Sequence, residues 1–478
     1  MGPNLQRLDP YRLLLPRRGE MKVDALVYAG ESLLIEEKSL VQLQNAACVP
    51  GAVRVLATPD IHVGFGVPIG CVLASRSHLV PAAVGYDINC GMRLLRTPFK
   101  AREFPLEAVT RAVGRAVPLG EGKRNLKVSV EALEEVLARG VPGLKAVAGE
   151  LGERFPAWDR EEMERDLPFL EDRGSLPGAP GAVSPAAKER GRFQLGTLGG
   201  GNHFLEFQEV EKVLDGEAAR RLGIEEGALT IMIHSGSRGL GHQVASDYMR
   251  LAGAGKGKHT AGPGGLAALE ARSGRGGRYL GAMNAAANFA YANRHVLACL
   301  VRREVRLCTD PSAELPLVYD VTHNILKEET HGGEILYVHR KGATRAFPSQ
   351  RMQGTPYEDV GQPVIIPGSM GTASYLLLPG PRAEESLYSV NHGAGRVLSR
   401  SAASGRDRRG RAKGPAAVSD EEFRRSMEGI LLICEDKRTI KEEAPAAYKD
   451  IDEVVRVVAG AGLAGPVARM RPLSVLKG

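Results

Sequence analysis

Five loops of this sequence carry histidine, cysteine or aspartate among glycines and asparagines, each directly after a strand-like run. They are GYDINCGMRLL with Asp87 and Cys90, GGGNHFLEF with Asn202, His203 and Glu206, and IMIHSGSRG with His234 and Arg238. The other two are DVTHNIL with His323 and Asn324, and VNHGAGR with His392. Side chains on such loops can converge on one cleft. Asp87 supplies a hard oxygen and Cys90 a thiolate, and with several imidazoles they suit a borderline divalent transition metal such as Mn²⁺, Fe²⁺, Co²⁺ or Zn²⁺. A closed structural zinc site would present cysteines paired at short spacing, and none of the six cysteines here forms a CxxC. The mixed set therefore favours an open, catalytic site, with room for two metals. Taken singly, each residue reads more simply as a buried thiol or a core histidine with a satisfied hydrogen bond. Taken together in five such loops, they favour the site. Whether His392 is a loop residue, a ligand or a reacting group stays open at this level.

Three glycine-rich pieces, GTLGGGNHF, IPGSMGTAS and NHGAGR, lack both the Walker pattern and the GxGxxG of a dinucleotide fold. They can still expose successive backbone N–H groups to a phosphate, with ordinary tight turns as the equal alternative. Ser369 and Ser374 add hydroxyls. No GxSxG elbow occurs, which argues against an α/β-hydrolase. In ATPDIHVGFGVPIG, Asp60 and His62 precede a glycine loop. They read as a general base or a substrate-orienting pair, or as a local Asx turn.

The elements that must position these groups are legible in outline. The runs MKVDALVYA, VRVLATPD, VPIGCVLAS and MRLL between Val23 and Arg96 predict strands joined by Gly/Pro turns, as do FLEFQEVEKVL and ALTIMIHSGSRG further on. Residues 106–171 change to helical spacing and contain the single Trp158, read as a packing residue. Residues 1–20 predict a poorly ordered tail and 173–190 a flexible connection. A glycine-rich stretch at 252–278 precedes an alanine-rich helix at 281–301, and 400–416 is basic, mobile or both. No internal repeat is present. The expected fold is α+β: residues 21–478 as one large body of mixed sheets with a helical insertion at about 106–171.

Composition is ordinary for a globular chain of 478 residues, with 43% hydrophobic and 25% charged residues. The 58 glycines are about 12% of the chain against a usual ~7%. A formal charge of +7 and a pI of about 9.0 lean toward a polyanionic partner. Unpaired cysteine spacing suits a reducing compartment, and neither a signal peptide nor an apolar run of about 18 residues is visible. These residues alone point to a cytoplasmic metalloenzyme acting on a phosphate-bearing substrate.

At PDIHVGFGVPIG, GYDINCGMRLL, LGTLGGGNHFLE, HSGSRGLG, THN, IPGSMGTASY, NHGAGR and the terminal Lys477-Gly478, the sequence closely resembles the RtcB family of RNA-splicing ligases. The resemblance runs from about residue 22 to the end. It implies a GTP- and Mn²⁺-dependent ligase joining RNA 3′-phosphate or 2′,3′-cyclic phosphate ends to 5′-hydroxyl ends, in tRNA splicing or RNA repair. His392 would then be the nucleophile that becomes guanylylated. Asp87, Cys90, His203, His234 and His323 would hold two Mn²⁺ ions, with Cys90 bridging them. Guanylate contacts would come from Asn202, His203, Phe204, Leu205 and Glu206, with Glu206 on the guanine edge. Further contacts would come from His323 and Asn324, from Pro367, Gly368, Ser369, Met370 and Ser374, and from His392, Gly393, Ala394 and Gly395, with Tyr448 and Lys477. Asp60 and Arg238 would serve the RNA ends. An archease-type activating protein is the further partner the family brings with it. The 252–278 and 400–413 stretches fall outside its motifs. Rival readings with the same residues are an enzyme that guanylylates 3′-phosphate ends without ligation, a non-catalytic RNA-binding paralogue and a generic metal-dependent phosphoesterase.

Overall fold

A computed structural model of the chain describes residues 4–253, 266–407, 410–437 and 439–478. Its architecture is α+β, built on a seven-stranded and an eight-stranded sheet. The first, sheet I, runs in the order Gln6–Asp9, Arg12–Leu15, Ala25–Tyr28, Ala52–His62, Ile69–Ser75, Glu334–Lys341 and Asn324–His331. Sheet II runs Leu317–Thr322, Gly91–Lys100, Ala228–Ser235, Phe204–Val213, Ala464–Lys477, Ser374–Pro379 and Val364–Ile366. Leu431–Cys434 lies parallel to Ala464–Lys477 at its C-terminal end. The two sheets meet at His323, which separates the last strand residue of one from the first of the other.

Strand alternation sets the layers. Along Phe204–Val213, Leu205 and Phe207 pack into a core shared with the helices, while Phe204 and Val210 pack into a second core on the opposite face. The helical layer fills the chain between Gly91–Lys100 and Phe204–Val213, and includes Leu106–Ala116, Val130–Arg139 and Pro185–Gly191. Its axis is the helix Gly274–Cys308, capped by Ser273, whose hydroxyl accepts from the Gly276 N–H. Residues 282–299 of this helix are buried on every side, and its many alanines allow the close approach.

Two expectations about order fail. Of the expected tail at 1–20, residues 1–3 lie outside the described residues, and the rest is ordered: Gln6–Asp9 and Arg12–Leu15 form a hairpin on the edge of sheet I, with Leu13 and Leu15 buried. Residues 173–190 are not a flexible connection. Asn288 of the long helix accepts from Leu176 N at 2.7 Å and donates to Leu176 O at 2.8 Å. Ser184 then caps Pro185–Gly191 and bonds to Asp247 at 2.7 Å. The alanine-rich helix predicted at 281–301 extends further at both ends. Of the stretch at 252–278, residues 254–265 lie outside the described residues.

Beneath the sheet ends, the long helix inserts a fully buried Arg294. It donates to both Asp320 oxygens at 2.8 and 2.9 Å, to Asn89 O at 2.7 Å and to Ser235 O at 3.1 Å. Removing one partner of a buried pair costs about 3–5 kcal/mol when the charge left behind is uncompensated; here Asp320 keeps Arg93 Nε at 2.8 Å, which sets the loss at the lower end of that range. Arg294→Met is therefore expected to lower the unfolding free energy in urea by about that amount. Arg294→Leu at the same cost would support the charge argument, whereas either variant unfolding at the wild-type midpoint would refute it.

Candidate active site

Four neighbouring strands of sheet II end at one level. Their register sets Gly91 beside Thr322, Met92 beside His234, and His234 beside Phe204. Cys90, His203, His234 and His323 consequently emerge at the same end of the sheet. Cys90 Sγ lies 3.2 Å from the Nε2 atoms of both His203 and His234, and His234 Nε2 lies 3.3 Å from His323 Nε2. Asp87 Oδ2 approaches His203 Nε2 at 2.8 Å, and its other oxygen accepts from Ser237 N at 3.0 Å. Three of the expected ligands thus form the tight cluster, and Asp87 and His323 each join it through one histidine.

The backbone is bent to achieve this. Asn89 and Arg238 both sit at positive φ, 57° and 53°, a conformation that side chains other than glycine rarely adopt. Arg238 opens the helix Arg238–Gly253, and its guanidinium lies 3.0 Å from His203 Nδ1. Gly199 beside it leaves room for that guanidinium, since a Cβ there would lie 2.1 Å from the nearer nitrogen.

Burial governs the electrostatics. It lowers the pKa of His203, His234 and His323, so these imidazoles are neutral, as metal ligands must be. Burial and the Asp87 charge raise the Cys90 thiol well above its ordinary value. Burial alone would raise Asp87 as well, but His203 and Arg238 hold its carboxyl below the usual range. Imidazole nitrogens, a sulfur and a carboxylate oxygen set 2.8–3.3 Å apart repel one another unless protons or a cation are shared among them. A borderline divalent cation fits this donor set and would also ionise Cys90.

His392 stands across from this cluster, its ring centroid 4.9 Å from that of His323. Its Nδ1 meets Asp60 Oδ2 at 2.6 Å, and its backbone N–H donates to the same oxygen at 3.3 Å. Asp60 is fully buried. Burial pushes its carboxyl up, yet hydrogen bonds from His392 and Thr58 bring it below the usual range. An ionised Asp60 accepts the Nδ1–H, which leaves Nε2 as the ring's available nitrogen. Lys449 steadies this arrangement by donating to the carbonyls of Pro59 and Ile61 at 3.0 and 2.8 Å. Gly395, at φ 77°, lets the NHGAGR loop cross the Asp60 strand, because a Cβ there would lie 2.3 Å from Asp60 O. Both Asp60 oxygens are engaged, one by Thr58 and the other by His392.

Both groups border a cavity of about 910 Å³. Of the residues expected at a nucleotide, Asn202, Phe204 and Asn324 line it from the sheet ends, and residues 367–370 and 393–395 line it from two loops. Tyr448 and Lys477 close the far side. Asn324 is also structural: its side-chain amide donates to Asp87 O at 3.1 Å and accepts from Gly342 N at 2.9 Å. Leu205 turns its side chain into the core. Glu206 and Ser374 are buried and joined through Gln208, which donates to them at 2.8 and 3.1 Å.

Sequence reading missed Glu443. This buried carboxylate accepts from Tyr448 and from Arg396 and Arg400 at 3.3 and 3.0 Å, and lies 3.8 Å from Lys477. Burial would raise it, but Lys477, Arg400 and Arg396 hold it down to about 2. It stands next to another glutamate, and nothing local distinguishes it. Arg396 did carry a signal, as part of NHGAGR. In the basic segment, Arg406 and Lys413 line the cavity and Arg411 pairs with Asp407 at 2.8 Å. Arg408 and Arg409 lie outside the described residues.

A family model described as tRNA-splicing ligase RtcB matches residues 42–478. The tRNA-splicing ligase RtcB of Thermococcus kodakarensis is 43% identical, with 99% of each chain covered. That of Nanoarchaeum equitans is 42% identical over the full length of both chains. The RNA-splicing ligase RtcB homolog 2 of Entamoeba dispar is 40% identical over 91% of this chain and 83% of its own.

Burial raises Glu206 to about 8, against the weaker pull of Gln208 and Lys477. The folded state therefore disfavours its ionised form, so its contribution to stability is fullest below about 4.5 and is lost as pH rises toward about 8. Glu206→Gln is expected to unfold at a higher midpoint than wild type at pH 8, with the gap closing toward pH 4.5. Denaturation series at several pH values would measure it; a gap that does not change with pH would contradict the assignment.

Proposed function

The chain belongs to the RtcB family of tRNA-splicing ligases, and on that premise we propose that it joins RNA 3′-phosphate or 2′,3′-cyclic phosphate ends to 5′-hydroxyl ends, using GTP and Mn²⁺ and a guanylylated His392. The observation that carries the reading is the 2.6 Å contact between His392 Nδ1 and the buried Asp60. It supports a nucleophilic Nε2 in a single tautomer, beside a metal-binding cluster that does not need His392 as a ligand.

A phosphate monoester is a poor electrophile, because its charge repels a hydroxyl and its leaving group is weak. In this reading His392 Nε2 attacks the α-phosphorus of GTP, the bond to pyrophosphate breaks, and GMP is held on the imidazole. The RNA 3′-phosphate takes the GMP, and the 5′-hydroxyl then attacks the activated phosphorus and expels it. Each step has a good leaving group. A cyclic phosphate is first opened to the 3′-phosphate. Asp60 stabilises the positive charge that grows on the ring as Nε2 becomes bonded, and holds the ring in place.

Asp87, Cys90, His203, His234 and His323 would hold the metal, which supplies neutralisation of phosphate charge. Glu206, kept protonated by burial in the free protein, would ionise as guanine binds and accept its N1–H and N2–H, for which adenine has no equivalent pair. Arg238, partly accessible beside His203, would face the RNA end, and Arg406 and Lys413 would add positive charge along the cavity rim. The same reading places the protein in the cytoplasm, where its six free cysteines stay reduced. It includes an archease-type activator as a partner. No helix among the described residues is long and apolar enough to cross a membrane.

Incubation with radiolabelled GTP and Mn²⁺ is expected to give an acid-labile GMP adduct that chelation prevents. His392→Ala should form none while still binding Mn²⁺, measured by electron paramagnetic resonance. Asp60→Ala should slow adduct formation by roughly 10²–10⁴-fold. No adduct on the wild-type protein would overturn the mechanism, and one that persists in His392→Ala would overturn the nucleophile.

A further inference from the structure

The loop after the Ala52–His62 strand holds an aromatic ring out of the core at considerable structural effort. Phe65 is 57% exposed, although burying a phenyl ring is normally worth about 1.5–3 kcal/mol. Its loop is not free to fold the ring inward. Gln42 clamps Gly64 with reciprocal hydrogen bonds of 2.6 and 3.0 Å. Lys341, itself 6% exposed, donates to Phe65 O and, at 3.1 Å, to Val67 O. Both bonds fix this turn from the cavity wall, which Lys341 also lines.

The ring begins a series. Phe65 lies 5.5 Å from Tyr86, and Tyr86 is stacked on His242 at 4.8 Å with an interplanar angle of 18°. Phe65 and Tyr86 line the cavity that holds His392, and Tyr86 immediately precedes Asp87. His242 sits one helical turn beyond Arg238, so a guanidinium and an imidazole share one face of that helix. Exposed π-faces in sequence beside cations are how single-stranded nucleic acid is held without regard to base identity.

We propose that Phe65, backed by Tyr86 and His242, is a stacking platform for a nucleobase at or next to an RNA end entering the cavity. The proposal rests on the RNA-ligase reading above and adds a site to it. It gives the ligase a base contact that tolerates any sequence, as an enzyme that joins ends of different sequence requires. The platform lies outside the step in which GTP reacts with His392, so the two can be separated experimentally.

Phe65→Ala, Phe65→Leu and Phe65→Trp are compared with wild type. GMP-adduct formation without RNA is expected to be unchanged in all three. In ligation, the KM for RNA should rise roughly tenfold or more in the alanine and leucine variants, leucine keeping apolar surface without a π-face, while tryptophan keeps wild-type behaviour. RNA with abasic terminal nucleotides should raise the wild-type KM to that of Phe65→Ala and leave Phe65→Ala unaffected. Equal KM values across the variants, an equal loss on abasic ends, or a defect in GTP-adduct formation would overturn the platform. Should wild-type protein form no adduct, the mechanism fails separately, and quenching of 2-aminopurine placed near the RNA end still decides the stacking. Quenching by wild type and Phe65→Trp but not by Phe65→Ala supports the platform, and quenching by all of them overturns it.

Discussion

The pairing of Arg294 with Asp320 is the constraint on which the rest of the site depends. One guanidinium on the long helix bonds to the strand that leads into His323, to the carbonyl before Cys90 and to the carbonyl after His234. Three of the cluster's loops are thereby set against a single planar group. Lysine has no equivalent geometry, since it offers a point charge where arginine offers a rigid fork of donors. Asn293, the preceding residue, extends the clamp by donating to Thr197 O, Ser235 Oγ and Gly236 O at 3.1, 3.1 and 3.3 Å. The buried helix thus works as a jig for loops that would otherwise carry too much repulsion to stay together.

Around that jig the site divides into two environments of opposite character. In one, burial keeps three imidazoles neutral and a thiol protonated, a set of groups that gains most from a cation. In the other, a single imidazole is paired with a carboxylate that stays ionised despite full burial. The difference comes from local hydrogen bonding and not from depth, because the three imidazoles and Asp60 are all buried. Glu443 organises the third wall by collecting Arg396, Arg400, Tyr448 and Lys477 around one charge, which sets positive groups at fixed places on the cavity.

Much of this was legible in the chain. GYDINC, GGGNHF, IMIHSG and THN are legible as loops beside strand-like runs that carry candidate ligands, and the register of sheet II brings their side chains to one level. The failures share a cause. The hairpin at residues 6–15 looks like a tail because its four-residue strands gain order only from the sheet edge. Residues 173–190 look like a linker because the amide that pins Leu176 belongs to Asn288, 112 positions away. Glu443 and Arg294 look like ordinary charges, although an arginine inside an alanine-rich apolar helix is a signal that a buried partner exists.

By itself the sequence determined which reactive groups the protein owns and on which kinds of loop they sit, since side-chain chemistry and strand alternation are local properties. It also determined the family, through motifs spread along almost the whole chain. Tertiary structure alone decided that His392 is bonded to Asp60 and that His203 and His234 face the thiol. His392 and Asp60 are 332 positions apart, and Cys90 and His234 are 144 apart. Contacts across such distances depend on strand register and helix packing, where a change of one residue would carry every group to the wrong face.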